Sequence, residues 1–378
     1  MRKGQYRTEL DFSRGNAVNP GLDDVVVAET VLSHVDGAGG RLIVRGHELE
    51  DIAGLSFEAV LALLWNGLTP QPPWAEEDVR TALGAARLVA FERVAPVIAA
   101  TDQLSAVEAL RLCLASLADA DTTPHHVLAA AAVPVFVAAI ARRRAGQAPI
   151  APDPTIGQAA DFLRMMRGKN APAAHVRALE TYLVTVADHG LNASTFTARV
   201  IASTRAGLLS SVVGALCALK GPLHGGAPGP VLDMFDAIGS FENIRPWLKQ
   251  ALAREERLMG FGHRVYRVRD PRADVLKATA AALRGGENRI RFAEAVEAEA
   301  LALLAQHRPG RRLDTNVEFY TALLLEALQI PRDSFTNIFA MGRTAGWTAH
   351  VLEQERIDRL IRPQSRYVGP QPQRPIAA

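Results

Sequence analysis

From residue 56 to residue 355 the chain repeats one pattern: apolar residues at helical spacing, opened by a capping residue and closed by glycine or proline. Leu104, Val107, Leu110, Leu114 and Leu117 make one such stripe, which faces a core. Ser56 can cap a helix that runs through Trp65, with Gly67 ending it and Pro70 enforcing the stop. Pro72 and Pro73 open the next helix, whose first turn carries Glu76, Glu77 and Asp78 as the helix dipole favours. The same reading predicts helices over residues 173–187, 207–219, 248–259, 275–283, 292–306, 319–328 and 335–355. Residues 146–157, with Pro149, Pro152 and Pro154, read as a loop. Only residues 25–46 carry a strand signal, a small hairpin turning over residues 36–40. Strands alternating with helices are missing, which disfavours Rossmann and barrel enzymes. The predicted fold class is all-α with a short N-terminal β-hairpin.

A chain of 378 residues can bury a large core, divided between two domains. Hydrophobic residues at 48% and charged residues at 22% suit a soluble globular protein. Lys plus Arg (42) nearly balances Asp plus Glu (40), so nothing in the bulk charge draws the chain to nucleic acid. Cys113 and Cys217, the only cysteines, lie in apolar helical stretches and read as reduced core thiols, and no zinc-type spacing exists, so no metal is expected. Residues 1–19 have no apolar run to serve as a signal peptide, and Glu9 and Asp11 argue against an organelle transit peptide. Residues 127–140 are the most apolar segment, but they are too short for a membrane span and contain Pro134; they read as a buried helix whose end Arg142, Arg143 and Arg144 cap. A soluble cytoplasmic protein without a membrane partner is expected. The residues after Val368 read as a proline-rich, extended tail.

Several polar residues sit where helical structure alone does not require them. Gly260 and Gly262 free the backbone to turn and to approach a ligand, and His263 follows directly. Asp270 and Pro271 then read as an N-cap and a first helical position, in a segment crowded by Arg264, Arg267, Arg269 and Arg272. Arg272 opposes the dipole of the helix it opens, a conflict that a bound carboxylate or phosphate would remove; a solvated basic loop is the alternative. His224, in Gly221-Pro-Leu-His-Gly-Gly226, lies ahead of the helical run 231–235, where a helix N-terminus would keep it neutral and a donor. Glu318 stands in an apolar context in which burial would raise its pKa and make it a base, although a glutamate opening a helix is also good dipole chemistry. His189 and Asn192 form a polar pair between helices, and Arg343 interrupts an apolar helix where its charge needs a partner. Arg362, near the terminus, reads equally as a surface residue.

Four blocks, taken together, resemble the citrate synthase family. They are Asp188-His-Gly-Leu-Asn-Ala-Ser-Thr195, Gly221-Pro-Leu-His-Gly-Gly226, Gly260-Phe-Gly-His-Arg-Val-Tyr266 with Asp270-Pro-Arg272, and Asn316-Val-Glu-Phe-Tyr320 leading to Gly342-Arg343. Residues 21–46 and 362–369 are similar to the family as well, and the likeness is thinnest over residues 70–161. The resemblance implies an all-α homodimer with a large helical domain, residues 1–224 and 327–378, and a smaller mobile one, residues 225–326, closing over the substrates. It implies Claisen condensation of acetyl-CoA with oxaloacetate and hydrolysis of the thioester, with no cofactor, since the CoA thioester is a substrate. Glu318 would take the methyl proton, His224 would donate to the thioester oxygen, and His263 would polarise and protonate the oxaloacetate carbonyl. His189, Arg272, Arg343 and, from the partner subunit, Arg362 would hold oxaloacetate, while Arg264 and Arg267 would face the CoA phosphates.

The chain departs from the family pattern in three places. Glu318 stands where an aspartate is usual, Pro228-Gly229 replaces Asn-Glu after the His224 turn, and Val186-Ala-Asp-His-Gly190 replaces His-Ala-Asp-His-Glu. Asp314 is near Glu318 but out of register for the role. The extra methylene of glutamate demands a slightly different backbone position for the same proton transfer. Two other readings stay open here: a 2-methylcitrate synthase acting on propionyl-CoA, and a catalytically silent regulatory or structural homologue.

Overall fold

The structure, a computed structural model, describes residues 19, 21–22, 25–70, 73–225, 228–263, 265–283, 287–310 and 312–370. These fall into two compact units, one spanning Val31–Leu360 and a small one drawn from the segments up to Thr30 and from Ile361 onward. The larger unit is helical apart from a three-stranded antiparallel sheet, Ser33–Asp36, Arg41–Val44 and His47–Glu48, in sequential order. The hairpin therefore exists, with Ser33 opposite Val44 and Asp36 opposite Arg41, but it is shorter than its valine run. Residues 25–32 do not join it, because Arg41–Val44 offers only four residues to pair with. At the turn, Asp36 Oδ1 accepts the N–H groups of Ala38 and Gly39 at 3.1 and 2.8 Å, and Gly40 takes a φ of +68°.

Capping residues set the helix limits. Ser56 Oγ accepts the Ala59 N–H at 3.1 Å and opens Phe57–Trp65; Gly67, at φ +72°, follows its end. The next helix, Glu76–Val94, starts later than its prolines suggest, because Asp78 reaches back to the Ala75 N–H at 3.1 Å and fixes the first turn there. Ser105 and Glu108 form a reciprocal capping box for Ala106–Ala115. The segment expected as a helix over residues 248–259 is instead Ile244–Ala253; Glu255, at φ +58°, closes it with its N–H on Leu252 O. Ala193–Ala202, capped by Asn192, is a helix the apolar spacing did not announce.

The core is centred on His125–Arg144. This helix is 20 residues long, so by length and composition it could cross a membrane, contrary to the shorter segment read from sequence; 89% of its apolar window is buried inside the protein. It packs on Glu76–Val94, Ala106–Ala115, Gln158–Arg167 and Phe335–Ile357. Each fully buried Val, Leu or Phe there contributes about 1.5–3 kcal/mol. Pro134 lacks the N–H that would bond Ala130, and the buried Gln158 Nε2 donates to that carbonyl instead, at 3.1 Å. Cys113 is buried as expected, whereas Cys217 is exposed, on the outward face of Leu208–Leu219.

Candidate active site

The glycine loop before His263 is held by the chain just ahead of Glu318. Gly262 N–H donates to Asp314 O at 2.8 Å, Asn316 N–H donates to Gly260 O at 2.9 Å, and Phe261 pairs with Thr315 as an antiparallel bridge. Gly260 and Gly262 adopt φ of +85° and +79°, and a Cβ on Gly260 would come within 2.7 Å of the Phe319 ring, so both the conformation and the close approach require glycine. Asn316 caps Val317–Ala327, accepting the Glu318 N–H at 3.0 Å on Oδ1 and donating from Nδ2 to Gly262 O at 2.9 Å. One side chain thus joins the His263 loop to the helix that carries Glu318. Asp270 does the same for Pro271–Ala281: it caps that helix and accepts the Val317 N–H at 3.2 Å. The hairpin supports the far side of the loop, with Arg267 N–H donating to Gly37 O at 2.8 Å.

His263 Nδ1 accepts the N–H groups of Val265 and Tyr266, both at 3.0 Å, so the proton of the neutral ring sits on Nε2. Burial, and after it the Arg272 charge, lowers its pKa to about 4. His189 is buried beside it, ring centroids 5.5 Å apart, with Nε2 at 3.2 Å from the Tyr266 hydroxyl. Burial, then Arg272 and His263, holds His189 well below the ordinary histidine range. His224 Nε2 lies 2.8 Å from Ser194 Oγ and accepts the Ser194 N–H at 3.3 Å, which leaves Nδ1 as the protonated nitrogen; Trp347 Nε1 steadies Ser194 Oγ at 3.1 Å. Its pKa also falls to about 4, through burial and then Arg343. The neutral state matches expectation, but the helix N-terminus that meets His224 is that of Ala193–Ala202, not that of Pro228–Ile238 downstream.

Arg272 corrects one argument made from sequence. No bound anion is needed to reconcile it with the helix dipole, because Asp270 pairs with it bidentately, Nε to Oδ1 at 3.0 Å and Nη2 to Oδ2 at 2.8 Å. Arg343 differs from Arg272 in this respect. It is 1% exposed, donates Nε–H to Val186 O at 2.7 Å and stacks 4.8 Å over Phe339, yet no carboxylate among the described residues forms an ion pair with it. Burial, and more weakly Arg272, lowers its pKa to about 10 against the pull of Asp188, so it stays charged at neutral pH. Gly342 permits this placement: a Cβ there would stand 3.0 Å from Leu183 O.

Glu318 opens its helix half-buried, and among the described residues its carboxylate has no hydrogen-bond partner. Burial raises its pKa to about 7, opposed by Arg257 and Arg272. Asp314 meets the glycine loop only through its backbone. Of the remaining candidates, Arg267 is exposed, Arg264 lies outside the described residues, and Arg362 is exposed in the smaller unit. Tyr266, Asn316, Asp270 and Ser194 emerge as supporting groups. The N-cap positions of Asn316 and Asp270 are legible in sequence, whereas the contacts of Tyr266 and Ser194 join segments far apart in the chain.

Two neutral histidines with donor protons, a carboxylate that ionises near neutrality and a buried guanidinium without a carboxylate partner among the described residues define an acid–base enzyme for a small anionic substrate. A family model described as citrate synthase, C-terminal domain, matches residues 21–364. The chain belongs to the citrate synthase family. It is 39% identical to the citrate synthase of Haloferax volcanii over 92% of this chain and 95% of that one. It is 36% identical to the 2-methylcitrate synthase of Mycobacterium tuberculosis, covering 93% and 91%. Among solved structures it superposes on the ternary complex of carboxymethyl coenzyme A and oxaloacetate with citrate synthase from Thermoplasma acidophilum. That match has a TM-score of 0.84 and 27% identity, covering 96% of this chain and 99% of that one.

Proposed function

We propose that this enzyme condenses acetyl-CoA with oxaloacetate and hydrolyses the resulting thioester to citrate and CoA. The observation that carries this reading is the buried Arg343, without a carboxylate partner among the described residues, whose charge adds to burial in lowering the pKa of both His224 and His189, as that of Arg272 does for His189 and His263. Such a cluster favours a small dicarboxylate and disfavours an uncharged ligand. Glu318 takes a proton from the acyl methyl group as the His224 Nδ1–H stabilises the oxygen of the developing enol. The enol carbon attacks the oxaloacetate ketone, whose oxygen receives the Nε2 proton of His263. Water then cleaves the citryl thioester. Arg264 and Arg267 are assigned to the CoA phosphates.

Residues 225–326, which carry His263, Arg272 and Glu318, act as the mobile domain, and residues 1–224 with 327–378 act as the larger one. Closure between them shields the enol from water. The working form is a cytoplasmic homodimer. Val26 and Tyr367, both in the smaller unit, are 87% and 71% exposed, surface that a second copy can cover while Arg362 reaches its partner's site. The unpaired cysteines suit a reducing compartment. Light scattering that gives only a monomer mass would remove the dimer from this reading.

The reaction is tested by free-thiol release from the purified protein. Release is expected with acetyl-CoA only when oxaloacetate is present; its absence from a folded protein would refute the proposal. Propionyl-CoA is the second arm, motivated by the 2-methylcitrate synthase relative. One methylene in an apolar pocket discriminates by only about 1–3 kcal/mol, so the ratio of kcat/KM values names the physiological substrate.

Tyr266→Phe removes the hydroxyl 3.2 Å from His189 and leaves the backbone N–H on His263 in place. The KM for oxaloacetate should rise about 2- to 10-fold, the worth of one hydrogen bond, with kcat nearly unchanged. An unaltered KM in steady-state kinetics would show that the hydroxyl is idle.

A further inference from the structure

A cavity of about 130 Å³ lies away from the active site, where the ends of His125–Arg144 and Gln158–Arg167 meet the loop after Val317–Ala327. Arg142 and Arg167 line it together with Leu163, Met166, Ile330 and Pro331, and no acidic residue contributes to its wall. Each arginine sits in the last turn of its helix, where the dipole favours a cation, and each spends part of its donor set on carbonyls. Arg142 donates Nε–H to Ala148 O at 2.6 Å and Nη1–H to Met166 O at 3.5 Å. Arg167 donates from Nη2 to Leu328 O at 2.7 Å, and the same atom meets His175 Nδ1 at 3.0 Å. Arg142 Nη2 and Arg167 Nε and Nη1 have no acceptor among the described residues, and neither arginine has a carboxylate partner there. The result is a pair of under-used guanidinium groups on a small hollow whose remaining wall is apolar apart from Gln147 and Gln329.

We propose that this cavity binds a short-chain aliphatic carboxylate, its oxygens on Arg142 and Arg167 and its alkyl part on Leu163, Met166 and Ile330. The volume supports that choice. It is well above the roughly 10–15 Å³ that admits one water and below the roughly 300 Å³ at which drug-sized sites begin, which suits a small ligand. Position gives the site a regulatory meaning. Its wall is the connection from the helix that bears Glu318 to the helix that bears Arg343, so an occupant acts on the spacing of those two groups. The binding itself does not depend on the reading of the active site.

The test is isothermal titration of the whole protein with butyrate, in saturating oxaloacetate so that the catalytic arginines are occupied. Inorganic phosphate is titrated in parallel. Saturable butyrate binding with a Kd at or below about 10 mM is expected, at least tenfold weaker in Arg167→Gln. In Ala141→Leu, which fills the hollow and keeps both arginines, binding should be lost. No saturable binding by the wild type, unchanged binding by Ala141→Leu, or binding of phosphate in place of butyrate would each overturn the proposal. Ala141→Leu guards against a fold defect in Arg167→Gln, whose lost bond to Leu328 O could loosen the helix junction.

Discussion

Glu318→Gln is expected to lower kcat by about 10²–10⁴-fold and, at about pH 8, to yield a protein more stable than the wild type. Both effects come from one cause, the burial that raises this carboxyl from 4.5 to about 7. As a base Glu318 must be ionised, so wild-type kcat/KM should climb with pH through an inflection near 7 and then level off. Stability runs the other way. The native state holds the Glu318 proton more tightly than the unfolded chain between the two values, so this group's contribution is fully present below about 4.5 and is lost as pH rises through about 7. The loss is of order 3 kcal/mol at most. Glutamine is neutral throughout and avoids it. Steady-state kinetics with urea denaturation at about pH 5 and pH 8 separates the outcomes. An unchanged kcat would remove Glu318 as the base, and identical pH-dependence of stability in both proteins would remove the raised pKa.

Arg343→Met should weaken oxaloacetate binding by about 2–5 kcal/mol, some 30- to several-thousand-fold in Kd, with little change in the stability of the unliganded protein. The asymmetry follows from its environment. In the unliganded chain Arg343 is a buried charge with a single bond to Val186 O and no paired carboxylate among the described residues. Losing that bond costs about 1 kcal/mol, which relief of the buried charge offsets. Once an anion is bound, the same substitution removes the partner of a desolvated carboxylate, which is far more costly. Lysine should not rescue it, because a point charge cannot reproduce the planar fork or the stack on Phe339. Titration calorimetry with oxaloacetate, alongside thermal unfolding, checks both halves. A large drop in Tm with unchanged Kd would assign Arg343 a purely structural role.

The helices and the candidate residues were legible in sequence to different degrees, and for physical reasons. Ser56 and Asp270 cap where they were read to cap, since a cap needs only residues two or three positions apart. The valines of residues 25–32 failed as a strand because pairing needs a partner of equal length elsewhere. Arg272 looked in want of a ligand, although its answer, Asp270, lay two residues away. Arg343 looked the same and does lack a paired carboxylate among the described residues. No feature of spacing separates the two; only the placement of carboxylates in space does.

By itself the sequence determined an all-α chain, its capped helices, the glycine turn before His263 and the order of the blocks that mark the family. All of these depend on residues close together along the chain. The tertiary structure decided that Nε2 carries the His263 proton, that His224 meets the helix opened by Asn192, that Glu318 ionises near 7 and that Arg343 stays unpaired among the described residues. Backbone preference is local, whereas protonation and charge depend on which distant groups exclude water from an atom, and only the folded chain brings those groups together.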